Sequence, residues 1–239
     1  MSKIQHYLPS RTWCLRHAPL IHKMSQQPKL RTDNTRLWEY PFVYELIKEK
    51  THRCAEIIDI GAGDAAFSKF LISNDMYKVT CVDNYDEKSW GDMREASQNI
   101  NMKVVRNDCT DLSFKDEQFD VALLVSVLEH VPTNMIFNNH TGKVKTGSEV
   151  LAEYPIRRKV ISEALRVTRK GGTVILTTDI YLDWVNEMNI SFDTLLGYQG
   201  IDRNDLMKLD QTAVHDLYVT DNPIHKGRIM PVCLTIEKE

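Results

Sequence analysis

Long hydrophobic runs are missing from this 239-residue chain, and no apolar stretch approaches the roughly 20 residues that a membrane span requires. Paired cysteines are missing too. Cys14, Cys54, Cys81, Cys109 and Cys233 are scattered without a CxxC pair, which argues for reduced thiols and against a zinc site or a disulfide framework. His, Arg and Pro interrupt the N-terminus, so it lacks the apolar core of a signal peptide, and a cytoplasmic location is expected. There is no internal repeat and no low-complexity tract. Neither sign of charge dominates, but its distribution is uneven: residues 1–53 hold ten Lys or Arg against four Asp or Glu, and the remainder twenty against twenty-nine. The acidic body argues against a broad nucleic-acid footprint, while the basic front suits an anionic small molecule.

What is present is organised around Glu56-Ile57-Ile58-Asp59-Ile60-Gly61-Ala62-Gly63-Asp64-Ala65-Ala66-Phe67. The three isoleucines read as a buried parallel strand, the two glycines as a tight turn, and Phe67, Phe70 and Leu71 as one face of the following helix. The free N–H groups of that helix's first turn point back at the strand end, where open α/β sheets bind ligands. Twenty residues after Gly63, Cys81-Val82-Asp83-Asn84 ends the next strand with an acid spaced to accept from ribose hydroxyls.

Further along, apolar and amphipathic stretches alternate. Lys78–Asp83 predicts a strand, Glu87–Ile100 a helix, Lys103–Asn107 a strand, and Phe119–Val125 a central strand apolar on both faces. Pro155–Arg169 has helical spacing and a basic end, with Gly171-Gly172 as its stop, and Thr173–Thr178 is the next strand. Residues 1–35 read as an irregular or briefly helical lead-in. Residues 36–50 read as a helix beginning near Pro41, with an aromatic content that suits core packing. Residues 132–154 and 180–212 read as loops leaving the carboxyl edge of the sheet, placed to act as lids. Ala213–Val219 and Arg228–Ile236 predict antiparallel strands joined at Asp221-Asn222-Pro223. The resulting expectation is a Rossmann-like, doubly wound α/β fold with a seven-stranded mixed sheet, its last strand antiparallel. Residues 1–50 form an N-terminal helical cap and residues 51–239 the main domain.

These motifs together resemble the class I S-adenosylmethionine-dependent methyltransferases, in particular the type 11-like group acting on small molecules. The resemblance spans about residues 52–180. It rests on Asp59-Ile60-Gly61-Ala62-Gly63, Asp83, Asn107-Asp108-Cys109, Ser126-Val127-Leu128-Glu129-His130-Val131-Pro132 and Glu163-Ala164-Leu165-Arg166-Val167 before Gly171-Gly172. It implies S-adenosyl-L-methionine as cofactor. Asp59, Gly61, Ala62 and Gly63 would hold its methionine part, Asp83 the ribose with Asn84 flanking, Asp108 the adenine amine with Cys109 beside the ring, and Ser126 the underside of the methionine portion. His130 is the candidate base for a hydroxyl acceptor, with Glu129 second. Their structural alternative is capping or packing of the short helix after the strand.

The weaker likeness of Arg31, Arg36, Trp38, Glu39 and Tyr40 to surface-polysaccharide and sugar methyltransferases points to O-methylation of a sugar or related metabolite, nucleotide-linked forms included. N-methylation of an amine or tRNA base, a non-catalytic partner subunit that retains the cofactor site, and an NAD-dependent enzyme are the alternatives. The absence of an Asn-Pro-Pro-Tyr-type sequence lowers the nucleic-acid reading. Asp179 and Asp183 are acids that a metal-dependent type would use, but strand-end acids commonly serve as caps, and no metal is expected. The sequence carries no signal for oligomeric state.

Overall fold

The structure, a computed structural model, describes residues 3–98, 100, 102–132, 143, 145–181, 216–222 and 227–239. Its strands are β1 (Lys3–Tyr7), β2 (Glu56–Ile60), β3 (Lys78–Asp83), β4 (Lys103–Arg106), β5 (Phe119–Val125), β6 (Thr168–Tyr181), β7 (Thr220–Asn222) and β8 (Gly227–Glu237). The helices are α1 (Arg11–Arg16), α2 (Ala18–Ser25), α3 (Arg36–Lys50), α4 (Ala66–Asp75), α5 (Glu87–Gln98), α6 (Gly147–Ala152) and α7 (Tyr154–Val167). One sheet runs β1-β8-β6-β5-β2-β3-β4, with β7 also paired to β8.

The central strands β6-β5-β2-β3-β4 are parallel and β8 runs antiparallel to β6. Their side chains alternate between two cores. Ile57, Val79, Cys81, Val121, Leu123 and Ile175 face the side packed by α3 and α4. Ile58, Ile60, Val82, Ala122, Leu124, Val174 and Leu176 face the side packed by α7, through Val160, Ala164 and Val167. Burial on both faces explains why these strands read as continuous apolar runs rather than as alternating ones.

The chain leaves β2 outward to β3 and β4 and then returns to β5 on the other side of β2. This reversal opens a crevice at the carboxyl ends of β2 and β5, the topological switch point where such folds bind ligands. Gly61 and Ser126 follow those two strand ends.

Several expectations are corrected. The sheet has eight strands rather than seven, because part of the expected irregular lead-in is β1. It pairs antiparallel with Cys233–Glu237, while β7 pairs with Gly227–Ile229, so these two short segments share one edge of β8. Strand β7 stands where the turn at Asp221-Asn222-Pro223 was expected. The expected strand Ala213–Val219 lies partly outside the described residues, and its Leu217 makes an isolated bridge to Ser10. Five residues at an edge carry no pattern until a partner strand supplies their hydrogen bonds.

Helix α3 begins at Arg36, not near Pro41, which lies inside it. Stacking of Trp38 on Phe42 (4.4 Å) and of Tyr40 on Phe67 of α4 (4.8 Å) holds the helix through the proline, whose missing N–H would otherwise favour a boundary. Helix α7 ends at Val167, where Thr168 turns extended and its hydroxyl donates to the Ala164 carbonyl at 2.7 Å, so Gly171-Gly172 is not the stop. Those glycines lie within β6 at a register shift against β5, and a Cβ on Gly172 would stand 2.6 Å from the Asp120 carbonyl oxygen. The loop expected over 132–154 contains α6, opened by a reciprocal capping box between Thr146 and Glu149. Residues 133–142 and 182–215, which carry most of the two expected lids, lie outside the described residues.

Candidate active site

At the switch point lies a cavity of about 750 Å³ lined from three directions. The first strand ends supply Gly61, Asp83, Asn84, Asn107, Asp108, Cys109 and Thr110. The segment after β5 supplies Ser126, Val127, His130, Val131 and Pro132, and α7 closes the side with Pro155, Ile156 and Lys159.

Gly61 adopts φ +76°, and a Cβ there would stand 2.5 Å from Val127 Cγ2 across the crevice. Glycine is therefore required for both conformation and space. The turn is tied to β3, since Gly61 N and Ala62 N both donate to the Val82 carbonyl, at 2.7 and 3.1 Å. Gly63 N donates to Asp83 Oδ2 at 2.8 Å and Asn84 N to Asp83 Oδ1 at 2.7 Å. Two backbone donors orient this carboxylate and leave it further lone pairs toward the cavity. Asp108 Oδ1 similarly accepts from Thr110 N at 2.7 Å and Thr110 Oγ1 at 2.8 Å, bonds that hold its carboxyl below the ordinary range. Burial, with Asp108 adjacent, pushes the neighbouring Cys109 thiol up to about 11, so it stays protonated and packs as an apolar group.

The other end of the cavity is assembled differently. Ser126 has φ +50°, a left-handed conformation costly for a side-chain-bearing residue, and is pinned by Thr177, whose carbonyl and Oγ1 both accept from its N–H at 3.1 Å. Its hydroxyl donates to Glu39 Oε1 at 2.7 Å and accepts from Arg36 Nη1. Arg36 Nη1 also bonds Glu39 Oε2 at 2.5 Å. Glu129 and Asp179 lie in the same buried group. Burial, then the charge on Glu39, raises Glu129 to about 7 against the pull of Arg36, and the same causes, with Glu129 added, raise Asp179 well above the carboxylate range.

The cavity wall thus unites Gly61, Asp83, Asn84, Asp108, Cys109, Ser126 and His130. Ala62 and Gly63 shape the turn without lining it. Asp59 is buried behind it, its Oδ2 accepting from Ser68 Oγ at 2.5 Å, with burial lifting its carboxyl to about 6. Glu129 and His130 share one short 3-10 turn, Leu128–His130, yet diverge: His130 faces the cavity and Glu129 the buried group behind Ser126. Arg36 and Glu39 stand in α3, far from any glycine motif. In the sequence they stood out only as part of the aromatic and basic segment before the glycine turn, not as partners of Ser126. Pro155, Ile156 and Lys159 of α7 carry no signal at all.

A methyltransferase-domain family model matches residues 58–176, a span running from β2 to β6. The chain is a class I S-adenosylmethionine-dependent methyltransferase. Solved structures share the fold. An S-adenosylmethionine-dependent methyltransferase from Methanosarcina mazei is 18% identical with a TM-score of 0.51, covering 82% of this chain and 97% of its own. A candidate sarcosine dimethylglycine methyltransferase from Galdieria sulphuraria is 12% identical, also at 0.51, covering 84% of this chain and 85% of its own. The [4+2]-cyclase SpnF is 13% identical, again at 0.51, covering 97% of this chain and 98% of its own. No curated protein sequence matches the chain.

The residues present fit the cofactor. The glycine cradle that a Cβ would fill, the pre-oriented Asp83 and the Asp108 acceptor match the donors of a nucleoside. No helix among the described residues is long and apolar enough to cross a membrane.

Proposed function

We propose that this methyltransferase acts on a hydroxyl oxygen of a small polyhydroxylated metabolite, such as a sugar or its nucleotide-linked form. The observation that carries the reading is His130 on the wall of the same cavity that Asp83 and Asp108 line. S-adenosylmethionine, when bound, supplies an electrophilic methyl group. Asp83 would accept from the ribose hydroxyls with Asn84 flanking, and Asp108 would accept from the adenine amine beside Cys109. Asp59 and the turn Gly61-Ala62-Gly63 hold the methionine part against Ser126. The His130 imidazole would take the acceptor's hydroxyl proton, and Glu129 would shape the field from behind the wall. The N-terminal segment 1–50 acts as the cap over this end, and 51–239 as the methyltransferase domain.

An amine acceptor is the second reading, favoured by the excess of carboxylate over guanidinium around Arg36. Methyl-labelled cofactor offered with sugars, nucleotide sugars, amines and tRNA distinguishes the two. Label on a hydroxyl acceptor supports the proposal, and label only on amine nitrogen or on tRNA overturns it. Turnover by the purified chain alone removes the partner-subunit reading. His130→Ala should slow transfer about 10²–10⁴-fold with cofactor affinity retained. An unchanged rate over the pH range would show that another group takes the proton.

A further inference from the structure

Asp108 and Lys159 line the same cavity from two directions, one just past the end of β4 and the other on α7. Among the described residues that line it, Lys159 is the one lysine or arginine. The protein does not occupy its donors, since Lys159 makes no hydrogen bond or ion pair with any described residue. Glu163, one turn further along α7, is already engaged: its carboxylate accepts from Arg166 Nε and Nη2 and from Leu112 N, each at 2.8 Å. Asp108 feels the Lys159 charge, yet among the described residues its side chain bonds only Thr110, through Oδ1. A carboxylate with one oxygen to spare and an ammonium with all its donors to spare thus share one cavity without meeting.

The surfaces beside them are apolar. Ile156 is three residues before Lys159, so both lie on one face of α7. It is 37% exposed and lines the cavity, while the protonated Cys109 thiol lines it from the strand side. Such surfaces receive the face of a flat ring, and the charged pair receives its edge. The pair offers one acceptor and one donor, so it fits an edge on which a donor stands next to an acceptor. Adenine has that edge, because its exocyclic amine donates and the ring nitrogens on either side of it, N1 and N7, accept. An anionic group of the methyl acceptor would suit the ammonium but would be repelled by Asp108.

We propose that Lys159 and Asp108 together read the adenine of the cofactor, the carboxylate accepting from the amine and the ammonium donating to an adjacent ring nitrogen. The inference rests on the adenine lying at Asp108, as in the function proposed above. It makes Lys159 a binding residue that selects the base and takes no part in the transfer.

The test is calorimetric titration of the full chain with S-adenosylhomocysteine and with its 1-deaza and 7-deaza forms, in which CH replaces one ring nitrogen and the amine is kept. The titrations are repeated with Lys159→Met and Lys159→Arg. Lys159 is exposed, so its loss should leave the denaturation midpoint in place. Lys159→Met should weaken S-adenosylhomocysteine about five- to fiftyfold, somewhat less than a buried charge-assisted hydrogen bond because the site is in contact with water. One deaza form should bind the unaltered chain more weakly by a similar factor and lose nothing further with Lys159→Met, and Lys159→Arg should retain most of the affinity. Equal weakening of all three ligands by Lys159→Met, or of none, overturns the proposal, as does full binding of both deaza forms by the unaltered chain. A raised KM for a phosphorylated acceptor with cofactor affinity unchanged overturns it as well, because the ammonium then serves the acceptor. Failure of the unaltered chain to bind S-adenosylhomocysteine would overturn the cofactor site itself, an outcome distinct from binding that ignores Lys159.

Discussion

At one end of the cavity Asp83 and Asp108 end their strands near the surface, and each carboxylate is met by backbone N–H groups of adjoining turns. At the other end Glu39, Glu129 and Asp179 are buried and come together from residues 39, 129 and 179 around Arg36. The first arrangement satisfies its charges locally and in partial contact with water. The second depends on the packing of α3 against the sheet, and removal of Arg36 leaves uncompensated charge in the interior. The [4+2]-cyclase, with the same TM-score as the methyltransferases above, makes the parallel point that this fold alone does not select a reaction.

The sharpest way to break the comparison is Arg36→Ala. It strips the cation from three buried carboxylates and should cost about 3–5 kcal/mol, read from the denaturation midpoint. A loss below about 1 kcal/mol would mean that the carboxylates already hold protons enough to stand alone. Asp83→Ala should reverse the pattern. Cofactor affinity falls by about 1.5–3 kcal/mol in titration calorimetry, while stability stays within about 0.5 kcal/mol, as for other surface changes. A large stability loss there would erase the distinction between the two ends.

Gly61→Ala probes the seam between them. The φ of +76° and the approach to Val127 should cost about 1–3 kcal/mol. Adding Val127→Ala should restore the part due to contact and leave the part due to backbone strain.

The smallest effect concerns pH and has opposite signs at the two ends. Glu129 has a folded value near 7 against an ordinary 4.5, so the unfolded chain ionises first. The penalty for burying the charge is absent below about 4.5 and complete above about 7. Denaturation at pH 5 and pH 8 should therefore show the unaltered chain losing stability relative to Glu129→Gln as pH rises. Asp108 is held below its ordinary 3.8, so its contribution is present above that value and disappears as pH falls beneath it. Matching slopes for the two groups would contradict the contrast drawn between local and buried satisfaction.

The cavity end lined by Asp83 and Asp108 was legible in advance because its groups lie within a few residues of the strands and turns that orient them. Asp83 follows from the end of β3, Asp108 from the end of β4, and Gly61 from a turn that admits no side chain. The buried end was only half legible. His130 and Glu129 stood out as neighbours after β5, but nothing in their order says that a 3-10 turn directs one to the cavity and the other away from it. Glu39 was visible as part of an aromatic cap segment, not as the partner of Ser126, since that bond joins positions 87 residues apart.

The edges of elements erred for the same reason. Pro41 and Gly171-Gly172 carry strong local preferences, and aromatic stacking and the β5 register overrode them. Strand β1 has no local preference to read, because its conformation is supplied by β8.

By itself, then, the order of residues determined the parallel α/β core, its switch point and the cavity end lined by Asp83 and Asp108. Each of these follows from short-range periodicity and from turn chemistry that only a few residue types permit. The tertiary structure alone decided the edge shared by β1 and β7, the passage of α3 through its proline, and the meeting of Arg36 with Glu39, Glu129 and Asp179. Those depend on long-range contacts and on the loss of water around charge, quantities that no local stretch of sequence contains.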